Sequence, residues 1–176
     1  NFDNVGVTER DFHKAIYEFY EPSPYFGQSE IYVGQEAPRK ELVRIITQSP
    51  RGTVAIVSEE FGSGKTALMY DIIHELVDND HIKSSEIDHA FAIGRELRPE
   101  AFFKRDRDTP TPDMPKVCFV EELDKHGPNR ESLENQLIQA GKLLDQVPVV
   151  VLIGDRSLRN PSIVRLVNSP HEPIYV

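Results

Sequence analysis

The chain has 176 residues, 39% of them hydrophobic and 28% charged, with a formal net charge of −9 and one cysteine. That length supports one compact domain with its own core, and the acidic balance argues against a surface that binds nucleic acid throughout, leaving only a local basic patch open. A single cysteine, Cys118, excludes an internal disulfide; the longest apolar run, Val149 to Ile153, has a strand's length and not a membrane span's; with no signal-peptide pattern visible, a cytoplasmic protein away from membranes is expected.

In chain order, Thr8-Glu-Arg-Asp11 resembles a capping box, followed by Phe12, Ala15, Ile16, Phe19 and Tyr20 at helical spacing. Residues 1–30 are therefore expected to form an amphipathic helix and a linker, with Glu21-Pro-Ser-Pro24 as the stop. Ile31-Tyr-Val-Gly-Gln-Glu-Ala-Pro38 leads into a helix with Leu42, Val43, Ile45 and Ile46 on one face, Pro38 suiting its first turn. Val54-Ala-Ile-Val57 reads as a buried strand, and Ala67 to Val77 as a helix presenting Leu68, Met69, Ile72, Ile73, Leu76 and Val77 to a core.

Between that strand and that helix lies Ser58-Glu-Glu-Phe-Gly-Ser-Gly-Lys-Thr66. Glycines at 62 and 64 permit positive φ and close approach of the backbone to an anion, and the first N–H groups of the following helix, with its dipole, favour negative charge. Lys65 adds a full charge for β- and γ-phosphates, and the Thr66 hydroxyl suits Mg²⁺. Phe61, Gly62, Ser63, Gly64, Lys65, Thr66 and Ala67 are thus the candidate nucleotide contacts. Glu59 stands where the motif G-x-x-x-x-G-K-[ST] has its first glycine: either its carboxylate faces solvent, or it places negative charge beside the ligand.

Further along, Ile87 to Ile93 reads as a second strand closed by Gly94, Pro99 as the start of a short helix with Phe102 and Phe103, and Arg105 to Pro115 as an exposed loop. A third strand, Val117-Cys-Phe-Val120, runs into Glu121-Glu-Leu-Asp124, placing carboxylates where ligands bind in open α/β sheets. Glu121 is assigned to the metal and Glu122 to polarising water. Leu133, Leu137, Ala140 and Leu144 mark a helix, Pro148 to Ile153 a fourth strand, Asn160-Pro161 the start of a short helix, and Pro173 to Val176 a fifth strand. The histidines at 13, 74, 81, 89, 126 and 171 lack metal-ligand spacing and read as structural or surface residues.

Taken together, Tyr32-Val-Gly-Gln-Glu36, Gly62-Ser-Gly-Lys-Thr66 as Walker A and Val117-Cys-Phe-Val-Glu-Glu-Leu-Asp-Lys125 as Walker B resemble the AAA+ ATPase family. The resemblance covers residues 31–176. It implies a P-loop NTPase α/β/α sandwich with five parallel strands in the order 5-1-4-3-2, binding ATP and Mg²⁺ and assembling as a homo-oligomeric ring that remodels or switches a macromolecule. Tyr32 and Val33 would flank the base, although buried core is the other use of such side chains. Asp155, or Ser157, would stand at the sensor 1 position, and Arg165 is the nearest candidate for an arginine finger. The family's Walker B ends in Asp-Glu where this chain has Glu121-Glu122, and its helical lid has no counterpart before Val176, as in a fragment or an abbreviated relative. A nucleotide switch with little turnover is the alternative, as is a DNA-associated ATPase using Arg95, Arg98, Lys104, Arg105 and Arg107.

Overall fold

The computed structural model describes residues 36–60, 62–100, 115–123 and 130–176. The expected N-terminal helix, Tyr32, Val33, Phe61, Phe102, Phe103 and the stretch from Arg105 to Met114 lie outside the described residues. Helices α1 (Glu36–Gln48), α2 (Lys65–Asp78), α3 (Arg130–Leu143) and α4 (Pro161–Val164) alternate with strands β1 (Thr53–Ser58), β2 (Ile87–Ile93), β3 (Glu96–Glu100), β4 (Val117–Leu123), β5 (Val149–Gly154) and β6 (Ile174–Tyr175). Single 3₁₀ turns occupy Ser84–Glu86, Arg156–Arg159 and Arg165–Val167.

The strands form one mixed sheet in the order β3-β2-β4-β5-β1-β6. All neighbouring pairs are parallel except β2 with β3. This corrects the expected five-stranded, all-parallel sheet: a sixth strand, β3, joins antiparallel at one edge, and the other five stand in the order β6-β1-β5-β4-β2. The added strand, β3, lies at the edge beyond β2, because Gly94 takes φ 58 and turns the chain back in a two-residue hairpin with Arg95. Pro99, expected to open a helix, lies in this strand, where an edge position tolerates its missing N–H.

Every residue of β1 and β5 is buried, as required of central strands covered on both faces. Successive side chains alternate between two cores. On one face, Ala55, Val57, Phe119, Val151 and Ile153 meet Leu42 and Ile45 of α1 and Leu68, Ile72 and Leu76 of α2. On the other, Ile56, Cys118, Val120 and Leu152 meet Leu133, Leu137 and Ala140 of α3, together with Leu158, Val164 and Val167. Cys118 is part of this second core, and burial pushes its thiol up to about 12, which leaves it without thiolate character near neutral pH. Among the described residues no helix is long and apolar enough to cross a membrane.

Candidate functional site

The parallel strands β1, β4 and β5 end on the same edge of the sheet, and the chain leaving each of them contributes to one cleft. From β1, the Ser58 hydroxyl donates to the Asp155 carbonyl at 2.6 Å and Glu59 N–H donates to the Gly154 carbonyl at 3.2 Å, stapling the start of the loop to the end of β5. Gly154 permits this convergence: a Cβ there would stand 2.8 Å from Leu123 Cβ, the Leu123 carbonyl oxygen and a Leu158 methyl.

The loop then turns through two left-handed glycines. Gly62 has φ 81, and nothing lies within 4 Å of where its Cβ would be, so conformation and not space calls for glycine. Gly64, at φ 87, is the N-cap of α2, and no side chain caps that helix. The first turn of α2 therefore presents main-chain N–H groups and the positive end of the helix dipole to the cleft. Lys65 folds back over the loop, its Nζ donating to the Glu59 and Glu60 carbonyls at 3.0 and 2.7 Å. Burial lowers the Lys65 pKa, while the charges of Asp155 and Glu59 act in the opposite direction.

Two carboxylates arrive from β4. Consecutive strand residues ordinarily point to opposite faces. Here the pairing with β5 passes from Val120 opposite Leu152 to Leu123 opposite Gly154, which inserts one extra residue on β4. Glu122 absorbs the bulge at φ 63, in the left-handed region. As a result Glu121 and Glu122 both line the cleft. Glu121 is buried, and its Oε2 lies 2.8 Å from His89 Nε2 on β2.

The cleft has a volume of about 480 Å³ and is lined by Gly62, Gly64, Lys65, Thr66, Glu121, Glu122, Leu123, Ile153, Gly154 and Asp155. Lys65 is the one cation among these lining residues, against three carboxylates. A polyanion entering alone would meet an unfavourable field, whereas the Thr66 hydroxyl with the Glu121 carboxylate offers hard oxygen donors to Mg²⁺. Among the described residues no group of three or more His, Cys, Asp or Glu could hold a metal unaided.

Of the other expected site residues, Ser63 and Ala67 follow the loop's path without lining the cleft, and Arg165 is exposed at the end of α4, also outside the lining set. Asp155 lines the cleft and its carboxylate accepts from Ser157 N–H at 3.4 Å, capping the 3₁₀ turn after β5. Arg95, part of the basic stretch, pairs with Glu131 at 3.2 Å.

Sequence reasoning passed over three residues that touch this site. Arg156 pairs with Glu60 at 2.5 Å, and Arg159 donates to the Ser58 carbonyl at 3.0 Å while lying 3.4 Å from the Glu59 carboxylate. Their spacing was the available signal, since i and i+3 eclipse in a 3₁₀ turn. His89 is the third; its two-residue steps to the apolar Ile87 and Phe91 mark a side chain on a buried strand face. No protein-family model matches the chain, and no curated protein matches it.

Proposed function

We propose that this chain is an ATP-binding and ATP-hydrolysing module of the AAA+ kind, dependent on Mg²⁺. The observation that carries the reading is the meeting of Lys65, Thr66, Glu121, Glu122 and Asp155 in one cleft at the start of an uncapped helix. Main-chain N–H groups of the loop and of α2 receive the phosphate oxygens, and Lys65 exchanges its two carbonyl acceptors for β- and γ-phosphate oxygens. Thr66 and Glu121 would hold Mg²⁺, which would supply charge neutralisation that the acidic lining cannot. Glu122 accepts the proton of a water attacking the γ-phosphorus; the bond to the β,γ-bridging oxygen breaks, and ADP and phosphate leave.

Lys65 being the one cation among the lining residues favours slow turnover by the isolated chain, since an added arginine at the γ-phosphate is worth about 10³-fold or more. A nucleotide switch with little hydrolysis is therefore the second reading. Ring assembly through the nucleotide sites, with a neighbouring subunit contributing an arginine, and action on a macromolecular partner rest on the family resemblance. Phosphate release by the wild type, Lys65→Ala and Glu122→Gln tests the enzyme claim. Turnover lost in both variants supports it; turnover equal in all three, or none above background when subunits are concentrated enough to assemble, overturns it.

A further inference from the structure

One buried polar contact stands behind the cleft wall and has no part in the chemistry above. His89 and Glu121 side chains are each 3% exposed, with Nε2 and Oε2 2.8 Å apart. In the parallel pairing of β2 with β4, His89 stands opposite Phe119 and Phe91 opposite Glu121, so His89 reaches its partner diagonally, on the sheet face that α2 covers. The Phe91 ring meets the imidazole edge-on, with centroids 4.2 Å apart at 65°, which fixes the ring's orientation. A carboxylate oxygen offers only acceptors, so Nε2 donates.

We propose that His89 is a positioning residue that aims the Glu121 carboxylate at the divalent cation accompanying the triphosphate; this rests on the nucleotide reading above. Glutamate has one more rotatable bond than the aspartate that usually ends this strand in the resembled family, and more orientations to lose on binding a metal. The contact with His89 removes that freedom in advance. It occupies one carboxylate oxygen from behind, while the same residue lines the cleft in front. Partners that hydrogen-bond a metal's ligands typically contribute about 10- to 100-fold in metal affinity.

The test is Mn²⁺ affinity of the protein–ATP complex, read from the loss of the free Mn²⁺ paramagnetic signal with the full chain in excess over ATP and referred to the same titration of ATP without protein. It is paired with binding of a fluorescent ATP analogue in EDTA and with thermal melts. His89→Leu removes the donor, His89→Gln keeps one near the place of Nε2, and His89→Asn carries one that falls short. Expected are Mn²⁺ affinities about 10-fold weaker for Leu and Asn, Gln within about 3-fold of wild type, and metal-free nucleotide binding equal in all. If Leu does not fold, the Gln and Asn pair decides. Mn²⁺ affinities equal across the folded variants overturn the role of His89 while leaving the nucleotide site standing. A wild type that binds neither ATP nor Mn²⁺ with ATP overturns the nucleotide reading itself, and this role with it.

Discussion

Arg159 ties Glu59 to the turn after β5: its guanidinium donates to the Ser58 carbonyl at 3.0 Å and lies 3.4 Å from the carboxylate of Glu59, which stands where the motif has its first glycine. Both side chains are more than half exposed, and such a pair contributes about 1 kcal/mol or less to stability. Its consequence is electrostatic. Glu59→Gln removes a negative charge felt by Lys65 and is expected to tighten Mg-ATP binding a few-fold at low salt, with the gain fading towards physiological ionic strength. Titrations at two salt concentrations check this, and an affinity that falls contradicts it.

Proton linkage at Lys65 has a definite sign. In the free protein burial lowers its pKa, so the neutral form is reached at lower pH than for an ordinary lysine. A phosphate beside the ammonium favours the charged form and raises that pKa, so binding takes up protons. ATP affinity should therefore fall as pH rises through the lowered free-state pKa, below the ordinary lysine value of about 10.4. Calorimetry through an alkaline pH series, in buffers of different ionisation enthalpy, is expected to report net uptake by the wild type and none by Lys65→Met.

Glu122 occupies a conformation that side chains rarely adopt, at the bulge that turns it towards the cleft. Strain of that kind clusters at functional positions and costs on the order of 1–3 kcal/mol. Glu122→Gln preserves shape and backbone, so thermal stability and Mg-ATP affinity should stay near wild type while turnover falls about 10²-fold or more. Equal turnover in the two proteins would remove Glu122 from the proton transfer.

Gly154 closes the cleft floor. A methyl group there would meet both Leu123 and Leu158 at 2.8 Å, contacts that can be relieved only by moving the end of β4 or the 3₁₀ turn. Gly154→Ala is expected to destabilise the fold by about 1–3 kcal/mol in denaturant titrations and to weaken nucleotide binding, because the same shift displaces Glu122 and Asp155.

The central strands and the loop were legible because their signals are local: continuous apolar runs for β1 and β5, and glycines required by positive φ at 62 and 64. What the sequence concealed depends on pairing between distant segments. Glu96–Glu100 is a charged, proline-containing stretch that becomes a strand only because β2 offers an open edge. The approach of His89 to Glu121 needs the register of β2 against β4, and that of Arg156 and Arg159 to the loop needs β1 beside β5. The pattern of Glu121-Glu122 could be seen in the sequence, whereas the bulge that brings both carboxylates to one side could not.

Calorimetric titration of Mg-ATP into the wild type and Lys65→Ala tests the phosphate-binding claim most directly. Saturable one-to-one heat is expected for the wild type, affinity at least about 10-fold weaker for Lys65→Ala, and a marked loss for the wild type in EDTA, where three carboxylates face the polyanion with one ammonium. A folded wild-type protein that gives no saturable heat, or binds no better than Lys65→Ala, would contradict it.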